Sequence, residues 1–313
     1  MILYIVVPCY NEEEVLLETA SRLKGKMASL KENKVIDEES RVMFVDDGSR
    51  DKTWEMIHSL VEENKLFSGV KLSKNRGHQN ALLAGLMTAK QYADCVISMD
   101  ADLQDDVDAV DRFIDKYNAG NDVVYGVRSS RKKDTAFKRI TAQGFYKLMK
   151  LLGVDIVYNH ADYRLMSKRA LDALEQYSEV NLFLRGIVPL IGFKWDTVEY
   201  ERNERFAGKS KYPLKKMLSF AFDGITSFSI RPIRIITSLG FLIFLASLIS
   251  VIVLLVLKLF GSTVQGWTTL MASIWMIGGI QLLSLGVIGE YIGKIYKEVK
   301  ARPRYIIETI EKR

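Results

Sequence analysis

Cysteine and histidine are scarce in this chain. Of its 313 residues only 2 are cysteine and 3 are histidine. Cys9 and Cys95 both lie in apolar runs, and the three histidines have no ligand spacing among them. The sequence therefore favours cysteines that pack in a reducing compartment over a disulfide framework or a metal site built from cysteine and histidine.

Two common nucleotide-binding motifs are also absent. No GxGxxG follows the first apolar run, and no GxxxxGK[ST] occurs in the chain. These absences argue against a dinucleotide oxidoreductase and against a P-loop nucleotide hydrolase. The opening run MILYIVVP lacks a basic leader, a long apolar region and a cleavage site. We therefore expect it to form a first strand and not a signal peptide, which keeps the large N-terminal part in the cytoplasm.

Charge is missing from two long stretches near the C-terminus. No charged residue occurs from Ile235 to Leu257, and none occurs between Lys258 and Glu290. Each stretch can supply a helix of about 20 residues or more, enough to cross a hydrocarbon core of roughly 30 Å. We expect two transmembrane helices, about 233–258 and 267–290, joined by a tight hairpin at Gly261 to Gly266.

Basic residues flank both apolar stretches. Arg202 to Arg234 carries eight basic residues and two acidic ones, and Glu290 to Arg313 carries seven and four. The positive-inside rule then puts both flanks and both termini in the cytoplasm, as in a multi-pass protein of the inner membrane. The net charge of +6 is therefore better explained by anionic lipid than by nucleic acid.

The N-terminal part alternates short apolar runs with helical patterns. The expected strands are Ile2–Val7, Val42–Val45, Val70–Leu72, a run from Cys95, and Val123–Tyr125. Alternation of strand and helix at this spacing favours an α/β fold, with a mostly parallel sheet and helices on both of its faces. Asn11 is expected to cap the helix that follows the first strand.

Acidic side chains follow the second and fourth of these runs. Asp46 and Asp47 end the second, while Asp100, Asp102 and Gln104 follow the fourth. The carboxyl ends of parallel strands meet at one edge of a sheet, where ligands bind. Two carboxylates one residue apart repel each other unless a cation lies between them, and hard oxygen ligands suit Mg²⁺ or Mn²⁺ carried on a phosphate. A solvated acidic turn is the alternative for such a pair on its own.

Four motifs give this pattern a family resemblance. They are PCYNEEE at residues 8–14, DDGSRDKT at 46–53, KNRGHQNA at 74–81 and DADLQD at 100–105. In this order they resemble the inverting nucleotide-sugar glycosyltransferases of family 2, which have the GT-A fold.

Later motifs narrow the resemblance to the polyprenyl-phosphate glycosyltransferases, a group that includes bactoprenol glucosyltransferases and dolichyl-phosphate mannose synthases. These motifs are GVRSSR at 126–131, HADYRL at 160–165, RFAGKSKY at 205–212, GEYIGKIY at 289–296 and RPRY at 302–305. The resemblance implies a cytoplasmic GT-A domain over 1–212 and an interfacial amphipathic helix region over 213–232. Two transmembrane helices and a basic C-terminal tail follow over 233–313.

The resemblance also implies roles for individual residues. The nucleotide-sugar donor would be bound by Pro8, Tyr10, Glu12, Asp46, Asp47, Asp100 and Gln104. The metal would be held by Asp100, Asp102 and Gln104. The acceptor phosphate would be bound by Arg128, Arg131, Arg164, Arg205, Ser210 and Lys211, because a guanidinium fork binds phosphate oxygens well. The catalytic set would be Asp162, Asp102, Arg128 and Arg131.

Asp162 has two possible roles. Its position matches the proposed catalytic base of bactoprenol glucosyltransferases, although His160 and Ala161 stand where a glycine is common in that family. A lipid phosphate has a second pKa near 6 and is already largely ionised at neutral pH. Asp162 would then orient the acceptor or the sugar instead, and Arg164 would either hold Asp162 in place or form a purely structural pair with it.

The resulting prediction is an inverting, metal-dependent transfer of one sugar, from UDP-glucose or a related UDP-sugar, to undecaprenyl phosphate at the cytoplasmic membrane face. The product would serve later glycan or envelope modification. Two alternatives stay open: a processive polysaccharide synthase, against which the missing QxxRW motif argues, and a membrane-anchored nucleotide-sugar sensor without catalysis. The pair Gly289 and Gly293 allows helix packing within the chain or in a homo-oligomer.

Overall fold

A computed structural model describes residues 1–128, 160–201 and 266–313, together with several helical positions between 233 and 249. The strands are β1 Leu3–Cys9, β2 Arg41–Asp46, β3 Phe67–Leu72, β4 Cys95–Ser98, β5 Val123–Arg128, β6 His160–Ser167, β7 Trp195–Tyr200 and β8 Ile307–Lys312. The helices are α1 Leu16–Glu32, α2 Thr53–Glu63, α3 His78–Ala89, α4 Ala109–Asn118, α5 Lys168–Glu175, α6 Leu184–Leu190 and α7 Trp267–Lys300.

The eight strands form one sheet in the order β7-β5-β6-β4-β1-β2-β3-β8. β1 pairs in parallel with β2 and β4, β2 with β3, and β5 with β7. Two strands run the other way: β6 is antiparallel to β4 and β5, and β8 is antiparallel to β3. The predicted α/β fold with a mostly parallel sheet is confirmed, and all five predicted strands are present.

The sheet is buried on both faces, as its apolar strands require. One face packs against α1, α2 and α4 through side chains such as Leu23, Ile57 and Phe113. The other packs against α3, α5 and α6 through side chains such as Leu83 and Ile187. This two-sided core fixes the strand ends, and therefore the loops at the carboxyl edge of β1, β2 and β4.

Asn11 does not cap α1, and that prediction was wrong. The helix begins only at Leu16, and Asn11 has a backbone φ of +52°. Its Oδ1 accepts a hydrogen bond from the backbone N of Arg50 at 2.9 Å, and its own N donates to Ser49 Oγ at 3.0 Å. Asn11 therefore ties the loop after β1 to the loop after β2, at the edge where a ligand is expected.

The second apolar stretch forms one long helix. α7 has 34 residues, about 50 Å at 1.5 Å per residue, and it continues ten residues past the predicted end at 290. Its segment Met276–Lys300 is long and apolar enough to cross a membrane. The first predicted membrane helix is described only at scattered positions between 233 and 249, and the region 213–232 lies outside the described residues.

The C-terminal segment is more than a basic tail. Ala301 ends α7 in the left-handed conformation, and Ile307–Lys312 then pairs with β3 as the edge strand of the sheet. His58 lies 2.9 Å from Glu311, and Lys71 lies 3.2 Å from Glu308, so side chains reinforce the pairing. The end of the chain is thus part of the same sheet as the N-terminal strands.

Candidate active site

The pair of aspartates that ends β2 supports the surrounding loops. Asp46 is fully buried, and both of its carboxylate oxygens accept from the backbone N of Ser49. Asp47 accepts from the backbone N of Arg76 at 2.7 Å and of Gly77 at 2.9 Å. Burial raises the pKa of both carboxyl groups above the ordinary value. The two residues therefore shape the loops after β2 and β3, and their contact with a base or ribose stays a prediction.

Three other predicted donor-binding residues lie along the end of β1. Pro8 is inside the strand and pairs with Val45. Tyr10 and Glu12 are half-buried, and the backbone N of Glu12 donates to Thr53 Oγ1 at 2.9 Å. The structure thus places all three beside the β2 end, and their contact with a donor stays a prediction.

The second acidic pair follows β4. The side chain of Asp100 is 37% exposed, and its Oδ1 lies 3.5 Å from His78 Nε2. Asp102 Oδ1 accepts from the backbone N of Gln104 at 3.2 Å, and Leu103 between them has a φ of +56°. This turn brings the pair Asp100 and Asp102 back toward the edge of the sheet.

Desolvation raises the pKa of Asp100. The neighbouring His78 opposes this shift, while the negative charges of Asp162 and Asp102 add to it. A carboxyl group whose pKa is raised by neighbouring negative charges marks a place that a cation would stabilise.

Asp162 is brought to this site by the antiparallel pairing of β6 with β4, which was not predicted from the sequence. Ser98 of β4 pairs with Arg164 of β6. Because the two strands are antiparallel, Asp100, two residues after Ser98, comes opposite Asp162, two residues before Arg164. His78 Nε2 lies near both carboxylates, 3.5 Å from Asp100 and 3.8 Å from Asp162. The strand ends of β4 and β6 and the start of α3 therefore meet at one point.

Two arginines hold the carboxylate of Asp162. Arg185 donates from Nε to Oδ1 at 3.1 Å and from Nη2 to Oδ2 at 3.0 Å, which makes the pair bidentate. Arg164 Nη2 donates to Oδ1 at 3.1 Å. Although burial acts against ionisation, the charges of Arg185 and Arg164 lower the pKa of Asp162 well below its ordinary value. A carboxylate in this setting is a stable anion and a poor proton acceptor near pH 7.

Arg164 lies behind this carboxylate. Its side chain is 1% exposed, and its Nη1 donates to the backbone O of Leu184 at 3.4 Å. This burial favours the role of holding Asp162 over the predicted direct contact with an acceptor phosphate.

Arg185 and His78 were not predicted as site residues. Arg185 is the one cation in the apolar segment NLFLRGIVPL, and a cation in such a segment implies an anionic partner. His78 belongs to a recognised motif, but no spacing links it to Asp162. Arg185 reaches the site through Asp162 on the antiparallel β6, whereas His78 at the start of α3 also lies beside Asp100.

Several predicted residues cannot be placed. Arg128 ends β5, and only its backbone is described. Arg131, Arg205, Ser210 and Lys211 lie outside the described residues. Their predicted roles toward the acceptor phosphate therefore stay predictions.

The carboxylates that follow β4, with Asp162 near the start of β6, suit a divalent cation shared with a ligand. Among the described residues, no group of three or more histidine, cysteine, aspartate or glutamate side chains is arranged to hold a metal. Asp100 and Asp102 nevertheless supply hard oxygen donors, and desolvation together with the charges of Asp162 and Asp102 raises the pKa of Asp100. Such a site would need the oxygens of a bound phosphate to complete the coordination.

Comparison with known proteins gives the family. The model of glycosyl transferase family 2 matches residues 4–175, which is more than half of the chain, and the model named GtrB C-terminal hairpin matches residues 231–295. The first match covers β1 to α5, and the second reaches into α7.

Full-length relatives agree with these matches. An uncharacterized glycosyltransferase of Bacillus subtilis, YkoT, is 58% identical over 98% of this chain and 91% of its own length. A bactoprenol glucosyl transferase of Shigella phage SfX is 39% identical over 97% of this chain and 98% of its own. Among solved structures, a mannosyltransferase of Pyrobaculum calidifontis with GDP-Man and Mn²⁺ is 16% identical, covers 96% of this chain and 85% of its own, and has a TM-score of 0.46. The family model over residues 4–175 and the two full-length relatives identify the chain as a member of glycosyl transferase family 2.

Proposed function

We propose that this protein transfers a single sugar, from UDP-glucose or a related nucleotide-diphosphate sugar, to undecaprenyl or another polyprenyl phosphate at the cytoplasmic face of the membrane. The observation that carries the proposal is the match, along almost the whole length of both chains, to a relative named bactoprenol glucosyl transferase. That match includes the C-terminal segment with its apolar helix α7, which would bring the site near a lipid substrate.

The donor would bind at the carboxyl edge of β1, β2 and β4. Asp46 and Asp47 keep the loops there in shape, and Tyr10 and Glu12 lie beside them. Asp100 and Asp102, with Gln104, would hold Mg²⁺ or Mn²⁺ against the diphosphate. The metal would supply positive charge to the departing nucleotide diphosphate.

The acceptor phosphate oxygen would attack the anomeric carbon from the side opposite the leaving nucleotide, which inverts that centre. A phosphate monoester is already largely ionised at pH 7, so it needs no base. Asp162, held by Arg185 and Arg164, is a fixed anion that would orient the sugar or the reacting groups. Arg128 and Arg131 would bind phosphate oxygens from the loop after β5.

The position of β8 supports a cytoplasmic C-terminus. Because β8 pairs with β3, the end of the chain and the GT-A sheet must lie on the same side of any membrane that α7 crosses. A helical hairpin of two spans satisfies this requirement, which is the topology that the basic flanks predicted.

A transfer assay tests the proposal. Purified protein in detergent is mixed with polyprenyl phosphate, Mg²⁺ or Mn²⁺ and one labelled donor from a panel of UDP-glucose, UDP-N-acetylglucosamine and GDP-mannose. Label that enters the organic phase with one donor is the expected result. Polyprenol without phosphate is the matched control acceptor and should stay unlabelled.

Two outcomes would contradict the proposal. Donor binding without transfer to any polyprenyl phosphate would favour a nucleotide-sugar sensor. Label in a long water-soluble polymer would favour a processive synthase.

A further inference from the structure

The end of the apolar helix α7 is attached to the GT-A domain by one carboxylate. Glu298 accepts from the backbone N of Val180 at 2.8 Å, from the backbone N of Asn181 at 2.8 Å and from Asn181 Nδ2 at 3.0 Å. One turn earlier on the same side of the helix, Lys294 is only 9% exposed. This side of α7 therefore packs on the domain. Hydrogen bonds to a carboxylate are charge-assisted and are stronger than hydrogen bonds between neutral groups.

A second contact holds the same segment from beyond the helix. Arg304 Nη1 donates to the backbone O of Tyr177 at 2.9 Å. The connection between α5 and α6, residues 176–183, is thus gripped at two places by the region that follows the apolar part of α7.

That connection leads directly into the candidate active site. Three residues separate Asn181 from Arg185, which binds Asp162 through two hydrogen bonds. The start of α6 is fixed from two more sides, because the backbone N of Leu184 donates to Gln79 Oε1 at 2.9 Å and the backbone O of Leu184 accepts from Arg164. Asn181 and Arg185 are therefore joined by a short segment whose far end is also held by Gln79 and Arg164.

We infer that Glu298 is a positioning residue for sugar transfer: by holding Val180 and Asn181 it sets the place of Arg185 and so of Asp162. The helix that enters the membrane is then coupled to the reacting groups by a specific contact. This inference rests on the proposed function, and it assigns to α7 a role in catalysis beyond anchoring.

The primary test is the transfer reaction of Glu298→Gln in the full-length protein. The amide keeps one acceptor oxygen and replaces the other with an N–H donor, so at least one of the three hydrogen bonds is replaced by a contact between two donors while size is kept. We expect kcat to fall about 10- to 100-fold, the range that follows from a small misplacement of catalytic groups, and KM for the donor to change less than about threefold. Glu308→Gln is the matched control, since its carboxylate pairs with Lys71 at the far edge of the sheet, and it should leave kcat unchanged.

A double-mutant cycle with Arg185→Lys separates positioning from general damage. If Glu298 acts through Arg185, the loss caused by Glu298→Gln should largely disappear in the Arg185→Lys background. The inference would be overturned if the losses of the two single variants multiply in the double variant. It would also be overturned if a folded Glu298→Gln protein keeps the wild-type kcat. Should Glu298→Gln fail to fold, Asn181→Ala removes one of the three hydrogen bonds and should show the same pattern at smaller amplitude.

Hydrogen exchange tests the contact independently of any reaction. In Glu298→Gln the amides of residues 180–190 should exchange faster, and those of β1 and β2 should not. If the wild-type protein transfers no sugar, the proposed function fails. If exchange over residues 180–190 is unchanged in Glu298→Gln, the proposed role of the contact between Glu298 and residues 180 and 181 is overturned.

Discussion

Replacing Asp162 by asparagine distinguishes the two roles that the sequence left open. The structure gives Asp162 three hydrogen bonds from two guanidinium groups, and both arginines lower the pKa of its carboxyl. The carboxylate is therefore ionised throughout the pH range in which such an enzyme is assayed. We expect Asp162→Asn to lower kcat by a factor that is nearly the same at every pH above 7.

The same substitution should destabilise the protein. Arg164 is 1% exposed and would keep its charge without its counter-ion, whereas Arg185 is 36% exposed and can be solvated. Removal of one partner from a buried pair costs about 3–5 kcal/mol, and the exposure of Arg185 argues for the lower end, about 3 kcal/mol. For a domain of this size, that lowers Tm by roughly 6–12 °C. Asp196→Asn, which breaks an exposed pair with Lys116, is the control and should cost at most about 1 kcal/mol.

The sign of the pH dependence follows from the lowered pKa. A carboxyl group whose folded pKa is depressed stabilises the fold fully above its unfolded pKa of about 3.9 and loses that contribution as pH falls toward the folded value. The stability gap between wild type and Asp162→Asn should therefore be constant above pH 5 and shrink in stronger acid. Rate profiles from pH 6 to 8.5 complete the test. A steep recovery of the variant as pH rises would show that Asp162 is the base after all.

Three further predictions test the metal, the topology and the core. Transfer should stop in excess chelator, and Asp102→Asn should lose metal-supported donor binding in equilibrium titrations; full activity with chelator would contradict the metal site. A cysteine in place of Arg313 should resist membrane-impermeant thiol reagents in intact cells, because β8 pairs with β3 and so lies on the same side of the membrane as the domain that we propose to be cytoplasmic. Gly85→Ala should destabilise by about 1–3 kcal/mol in denaturant unfolding, since its Cβ would lie 2.4 Å from Val6 and 2.6 Å from Val45 side-chain atoms.

The strands that the sequence predicted share a simple cause. β1 to β5 are apolar runs buried on both faces, and burial on both faces removes polar alternation, so each run is visible without knowledge of its partners. Their order along the chain also places Asp46, Asp47, Asp100 and Asp102 at the strand ends. This part of the site could be predicted because each residue depends only on its own strand.

The missing part depends on pairing between distant segments. β6 alternates polar and apolar residues and lies more than sixty positions after β4, so no local pattern reveals that Arg164 pairs with Ser98. β8 likewise follows the long apolar helix α7 and joins an edge whose other strand ends at Leu72. One local signal was available: Asp162 and Arg164 are two residues apart, and in a strand such residues share a face, which favours the ion pair that the structure contains.

The charges of the described site lead to a final argument about the metal. Asp100, Asp102 and Asp162 bring three carboxylates to the ends of β4 and β6, while Arg164 and Arg185 supply two positive charges, both directed at Asp162. The described charges near Asp100 are therefore negative on balance whenever His78 is neutral. A nucleotide diphosphate adds further negative charge, and Coulomb repulsion at about 4 Å amounts to roughly 4 kcal/mol per pair of charges at an effective dielectric constant of 20. Arg164 is buried and Arg185 is bound to Asp162, so neither arginine is directed at the donor phosphates, and we expect a divalent cation at Asp100 and Asp102 to bring them to this edge.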